Sequence, residues 1–370
     1  MVEFIKLGSL VDIRTGKLNA NAANENGCYP FFTCSVEPLT INTYAYDCES
    51  VLIAGNGDLN VKYYNGKFNA YQRTYIIESK DKDILSVRFL YYFLCEYIDT
   101  LRNNSIGGVI KYIKLSDLTD INFPLIPIKE QQRIVKILDK AEEIRTKKKL
   151  ANEKLDEFLK STFIDMFGDP VTNPKDFPTQ KLNDIATLKN GINFLKGDSG
   201  FEVKCLGVSN FKDNNFIVDS TNFNVVEVSN KPSEDYYLKK NDIVFVRSNG
   251  SKELVGRTVL IKTEGKIVFS GFCIRCRLTS NMNPIYLLML LKTESMKNAF
   301  SHDGHGCNIK SLNQQMLGNL DIIISPLELQ NQFAQIVHKV EAQKEKNQKV
   351  IEQMDNLFNS LMQQAFNGEM

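Results

Sequence analysis

Two stretches of this chain carry apolar residues at alternating three- and four-residue steps, with polar residues between, the pattern of an amphipathic helix laid against a partner. The first runs from Pro127 to Phe167, with Ile134, Ile137, Ala141, Ile144, Ala151, Leu155 and Phe158 in its apolar seam. The second runs from Pro326 to Phe366, with Phe333, Ile336, Val340, Val350, Met354 and Leu357. Each opens on a proline and holds no internal Pro or Gly, and the first stops at Gly168-Asp169-Pro170, where a glycine cap followed by proline ends a helix. The spacing predicts two coiled-coil helices. Roughly 39 residues at about 1.5 Å each make a rod on the order of 58 Å, longer than a small domain is wide, so each must pack along a partner.

The nearest partner is the other copy. Sliding one stretch by 199 residues (326 − 127) places Pro127 on Pro326, Gln131 on Gln330, Ile137 on Ile336, Glu142 on Glu341, Asp156 on Asp355 and Phe167 on Phe366 without a gap. An antiparallel pairing sets the two middles opposite each other, where Lys148 and Asn347 match at the same offset, and turns the duplication into a pseudo-two-fold axis. A polar residue at such a site weakens a helix pair but fixes its register. A solvated midsection with no specifying role is the other reading.

The duplication extends beyond the rods. Leu7-Gly-Ser-Leu10-Val-Asp-Ile13 returns as Leu182-Asn-Asp-Ile185-Ala-Thr-Leu188, and in each half a buried strand runs into a Gly/Asn turn, at Ser50 to Gly57 and at Asp242 to Gly250. A further strand is expected from Phe68 to Ile77 and from Phe269 to Leu278, then a helix from Ser86 to Leu101 and from Asn283 to Phe300, then a glycine turn ending at Lys111 and Lys310. The expected fold class is α+β: two homologous globular units of mixed sheet and helices, joined by two long antiparallel helices. The expected boundaries are 1–126 for the first unit, 127–168 for the first rod, 169–325 for the second unit and 326–370 for the second rod.

Charge is nearly balanced, 45 basic against 44 acidic residues, but the second unit is the more basic and the first slightly acidic. The first residues lack the apolar run of a signal peptide and no stretch approaches the roughly 20 apolar residues of a membrane span, which predicts a cytoplasmic protein. Eight scattered cysteines without a secretory signal read as free thiols. Cys273 and Cys276 have redox-pair spacing, but residues three apart on a strand point to opposite faces. His302, His305 and Cys307 form a metal-like cluster with no fourth ligand nearby, so no metal site is expected. Phosphate-loop, nucleophile-elbow and zinc-protease motifs are absent, as is the Asn/Asp-Pro-Pro-aromatic segment of adenine methyltransferases, which predicts a non-catalytic chain.

Strand ends and turns are where a scaffold carries function. There the chain places Asn56, Lys62, Tyr64, Arg73 and Lys111 in the first unit, and Arg247, Asn249, Ser251, Lys252 and Lys310 in the second. These side-chain types hydrogen-bond base edges and phosphates, although polar residues also simply populate turns. Eleven of the fourteen tyrosines fall in the first unit, which could supply stacking surfaces, yet strand propensity accounts for most of them.

The order unit, rod, unit, rod, with Pro127-Ile-Lys-Glu-Gln-Gln-Arg-Ile-Val135 opening the first rod and Phe167-Gly-Asp-Pro170 closing it, resembles the specificity (S, HsdS) subunit of type I restriction-modification enzymes. The second rod departs from the pattern, with Gln330-Asn-Gln332 in place of Gln-Gln-Arg. The resemblance implies that each unit reads one half of a bipartite double-stranded DNA site while the rods fix the spacing of the halves. It implies two methyltransferase subunits docked on the rods and motor-nuclease subunits joining them. S-adenosylmethionine, ATP and Mg²⁺ would belong to those partners. Lys111 and Lys310, matched across units that read different sequences, would be phosphate anchors. The competing readings are a coiled-coil adaptor whose units bind protein or carbohydrate, and a lone nuclease or methyltransferase.

Overall fold

The computed structural model describes residues 3–107, 110–194, 200–211, 215–301 and 311–367. The chain divides into two compact units, residues 1–150 with 347–370 and residues 151–346, so that each long helix contributes one half to each unit.

In the first unit six strands form one sheet in the order Val11–Thr15, Thr74–Ser79, Tyr46–Ala54, Val61–Ala70, Tyr29–Phe32 and Leu39–Ile41. Neighbours are antiparallel except Tyr29–Phe32 with Val61–Ala70, which run parallel. The helix Val87–Asn104 covers one face, capped by the Ser86 hydroxyl accepting from the Phe89 amide. A two-stranded ribbon, Glu3–Lys6 with Asn122–Leu125, closes the unit. The second unit repeats the plan. Ala186–Asn190, Cys273–Leu278, Ile243–Val246, Thr258–Ile261 and Phe216–Ile217 form one sheet, Asn224–Val228, Phe201–Leu206 and Ile267–Phe269 a second, and Thr179–Lys181 pairs with Asp321–Ile323. Register follows the duplication: Ile5 faces Phe123 as Gln180 faces Ile322, and Ile53 faces Tyr75 as Phe245 faces Ile274.

The long helices are Ile128–Phe167 and Leu327–Asn367. A buried glutamine roots each in its unit. Gln131 accepts from the Ser86 amide (2.9 Å) and donates to the Ile84 and Ile126 carbonyls (2.8 and 2.9 Å); Gln330 accepts from the Asn283 amide (2.8 Å) and donates to the Ser325 carbonyl (2.7 Å). Each glutamine therefore ties the start of its long helix to the cap of the helix lying on the sheet.

Within each unit the helix halves run antiparallel. In the first, Ile134 and Leu138 share a core cluster with Met362 and Ala365, Arg145 pairs with Asp355 at 3.0 Å, and Lys148 donates to Asn347 at 3.2 Å. In the second, Phe163 and Phe167 pack edge to face on Phe333, and Lys344 pairs with Asp156 at 2.8 Å. The two ion pairs are the same interaction under the 199-residue offset, and Lys148 touches its own counterpart, Asn347. The seam itself differs from the sequence expectation. It follows Gln131, Ile134, Leu138, Ala141, Lys148, Leu155, Leu159 and Phe163, leaving Ile137 and Ile144 on its flank and Phe158 half exposed; Phe358 replaces Leu357 in the second helix. Both patterns alternate threes and fours, and only packing sets which step comes first.

Two other expectations are corrected. Phe68 to Ile77 and Phe269 to Leu278 are each two strands separated by a tight turn, closed by Thr74 N to Tyr71 O and Cys273 N to Ser270 O, both 2.8 Å. The helix expected from Asn283 to Phe300 breaks at Lys292 and Thr293, where the Thr293 hydroxyl accepts from the Met296 amide and starts a new helix, Glu294–Ser301. Cys273 and Cys276 do lie in different core clusters, on opposite sheet faces, and the seven described cysteines are free. Among the described residues no helix is long and apolar enough to cross a membrane.

Removing the buried amide leaves the Ser86 amide and the Ile126 carbonyl unpaired, so Gln131→Ala should cost about 2 kcal/mol. Urea denaturation should show the midpoint falling without a change in slope; an unchanged midpoint would mean that the amide is not what roots the helix.

Candidate functional site

One edge of the first unit gathers most of the candidates. The strand Tyr46–Ala54 runs out into Gly55, Asn56 and Gly57, with Gly57 at φ +72°, a conformation glycine adopts without strain. The Gly55 amide donates to the Arg73 carbonyl (2.8 Å), its carbonyl accepts from Ile113 (3.0 Å), Asn56 bridges Tyr112, and the Gly57 amide donates to Lys111 (2.9 Å). Three segments distant in sequence are thereby sewn into one edge, with Arg73 and Lys111 exposed and Asn56 half-buried. The Cys34 thiol lies 2.9 Å from the Asn56 side-chain oxygen, and Asn60 donates to the Cys34 carbonyl (2.8 Å). Lys62 reaches this group by donating to Asn60, and burial pulls its pKa below the ordinary lysine value. Tyr64 is placed differently, its ring packing on Phe32 and Phe68 in a small core cluster.

The second unit builds the same frame. Ile243–Val246 runs out into Arg247, Ser248 and Asn249; the Arg247 amide donates to Phe272 (2.7 Å), its carbonyl accepts from Leu312 (2.8 Å), and Ser248 bridges Ser311. Arg247 thus stands where Gly55 does, Ser248 where Asn56 does, Phe272 where Arg73 does and Ser311 where Tyr112 does. Asn249 accepts from the Ser251 amide (2.8 Å), shaping the turn that leads into Lys252–Leu254. Of Lys252 only the backbone is described; Lys310, with His302, His305 and Cys307, lies outside the described residues.

Phe272 was missed because the turn at 270–272 sits inside a run of strand-forming residues, and Tyr112 and Ser311 because the expected glycine turns end one residue before them. The signal was present: 73 and 272, and 112 and 311, differ by the same 199 as the helices.

Part of the basic character of the second unit is spent inside it. Arg277 forms two 2.7 Å bonds to the carboxylate of Asp242, which is 1% exposed, and Arg275, 2% exposed, donates to the Asp235 carbonyl at 2.6 Å. The same unit holds a cavity of about 530 Å³ lined by residues including Leu159, Phe163, Arg257, Thr258 and Lys292. Lys292 donates to Asn215 (2.6 Å), which in turn donates to Glu341 (2.9 Å), and burial pulls the Lys292 ammonium down to about 8.

A family model described as the type I restriction modification DNA specificity domain matches residues 1–154 and 174–354. The chain is 27% identical over 402 residues to the type I restriction enzyme EcoDI specificity subunit of Escherichia coli, covering 99% of this chain and 88% of that protein. It is 26% identical over 300 residues to the StySPI specificity subunit of Salmonella potsdam, covering 74% and 63%. Its fold is similar to the crystal structure of the S subunit of the type I restriction-modification system from M. genitalium, with a TM-score of 0.58 at 17% identity over 98% of this chain and 96% of that one.

Lys292 also sets a pH dependence. Its folded value of about 8 lies below the ordinary lysine value of 10.5, so between these the unfolded chain binds a proton that the folded chain does not, and stability rises with pH through that window. Lys292→Met should therefore stabilise the protein most below pH 8, by up to about 3 kcal/mol, with the advantage shrinking towards pH 10.5. Denaturation of both proteins across this range checks it; a pH-independent difference would mean that Lys292 titrates normally.

Proposed function

This chain belongs to the type I restriction modification DNA specificity family, and from that premise we propose that it is the specificity subunit of such a complex, reading one half of a bipartite DNA site with the sewn edge of each unit. The observation that carries the reading is the matched frame: the same backbone hydrogen bonds hold Gly55, Asn56, Arg73 and Tyr112 in one unit and Arg247, Ser248, Phe272 and Ser311 in the other. A common scaffold with different side chains suits two readers of different sequences. Arginine, asparagine and serine are able to bond base edges in the major groove, and arginine pairs with guanine through two hydrogen bonds.

Lys111 lies on the same edge, exposed, and serves as a phosphate anchor; Lys310 takes the matching role. Asn249, Ser251 and Lys252 extend the second edge, and Lys62 supports the first through Asn60. The near-neutral charge of the chain leaves much of the electrostatic attraction to partner subunits. The two long helices, each continuous through both units, set the distance between the half-sites and dock two methyltransferase subunits. Motor-nuclease subunits join for cleavage. Methyl transfer from S-adenosylmethionine and the consumption of ATP with Mg²⁺ then belong to those partners, and this chain supplies recognition without catalysis.

Selection of bound duplexes from a random pool by the chain assembled with its methyltransferase subunits tests the reading. Arg73→Ala should relax base preference in one half-site only and Arg247→Ala in the other, each by about 1–3 kcal/mol of discrimination. Relaxation of both halves by either variant, or of neither, would contradict it. Lys111→Ala should weaken binding to all sequences alike and lower the salt slope by about one. A shifted base preference in that variant would show that Lys111 reads bases.

A further inference from the structure

Phe272 is 61% exposed, the most exposed phenylalanine among the described residues. Its position is not loose. The turn that carries it is closed by Cys273 N to Ser270 O (2.8 Å), the Phe272 amide donates to the Ser270 hydroxyl (3.3 Å), and the Phe272 carbonyl accepts from Arg247 (2.7 Å). Gly271 beside it is packed so closely on Asn193 that a Cβ would overlap the amide. The backbone is thus pinned on both sides, and an aromatic ring is held in water where the equivalent position of the first unit holds Arg73. Exposing a phenyl ring forfeits about 1.5–3 kcal/mol of burial. A ligand that covers the ring recovers it.

We propose that Phe272 is a specificity-determining residue that reads the C5-methyl group of a thymine in the half-site of the second unit, beside a guanine read by Arg247. The inference rests on the function proposed above and deepens it. The thymine methyl is the apolar group that an unmodified base pair presents in the major groove, so an apolar side chain fixed at a reading position selects it. The two residues are cross-strand neighbours, about 5 Å apart between Cα atoms, and one base-pair step is about 3.4 Å, so the thymine falls in the base pair next to that of the guanine. In the first unit the same two positions are Arg73 and Gly55, and a Cβ on Gly55 would stand 2.6 Å from the Arg73 carbonyl oxygen. The first frame therefore places its arginine on the turn and nothing on the strand end, whereas the second places its arginine on the strand end and a ring on the turn.

The test uses the full chain with its methyltransferase subunits and duplexes carrying the selected site, each thymine of the second half-site replaced in turn by deoxyuridine, which removes only the methyl. Fluorescence anisotropy should show one position where the replacement weakens wild-type binding by about fourfold, the worth of one buried methyl. Phe272→Ala should bind thymine and deoxyuridine duplexes equally at that position, and Phe272→Leu should keep a preference for thymine. The proposal is overturned if no position is methyl-sensitive in the wild type, if the half-site holds no thymine, or if Phe272→Ala weakens thymine and deoxyuridine duplexes alike, as a ring wedged between base steps would. A wild-type complex that selects no sequence at all would instead overturn the function on which the inference rests.

Discussion

A single amide at the root of each long helix fixes how the helix leaves its unit, and most of the architecture follows from that bond. Gln131 and Gln330, almost fully buried, satisfy a helix-cap amide on one side and a strand-end carbonyl on the other. An unpaired polar group there would cost more than the bond contributes, so the glutamine dictates geometry more than it adds stability. The chain from Tyr112 to Gln131 and from Ser311 to Gln330 matches without a gap, and it joins the edge frame of each unit to the helix root. Where the helix starts and where the edge lies are therefore set by the same run of residues.

The helix pairing is built on the same economy. Its middle is polar, with Lys148 bonded to Asn347 and flanked by the matched pairs Arg145 with Asp355 and Lys344 with Asp156. Half-exposed ion pairs of this kind add little free energy. They do discriminate: a shift by one heptad would place Lys148 among apolar residues, and a parallel arrangement would set Arg145 beside Lys344 and Asp156 beside Asp355. Stability comes from the ends, where Phe163, Phe167 and Phe333 pack in one unit and Ile134, Leu138 and Met362 in the other.

How much of this was legible in the sequence follows from what duplication preserves. The 199-residue offset, the helix limits, the matched positions of Lys148 and Asn347 and the opposed faces of Cys273 and Cys276 all followed from spacing alone, whereas spacing left open whether Lys148 and Asn347 touch. The seam did not, because Ile137 and Leu138 are equally apolar and only contacts with the partner helix choose between them. The turns at 71–73 and 270–272 did not either, since strand-forming residues flank them closely on both sides. The edge frame was half visible: Asn56, Arg73, Lys111 and Arg247 were found from turn chemistry, but Phe272 is an apolar residue in a strand-like run and gave no local sign of exposure. Tyr64, conversely, looked like a surface aromatic and serves a core cluster.

In the function proposed above, one backbone frame, present twice, takes its sequence preference from the side chains at four matched positions. Grafting the first set onto the second, as Arg247→Gly, Ser248→Asn, Phe272→Arg and Ser311→Tyr together, tests this most directly. Duplexes selected from a random pool by the assembled complex should then show the second half-site shifting towards the sequence of the first, with the gap between halves unchanged. A second half-site identical to that of the wild type would contradict it.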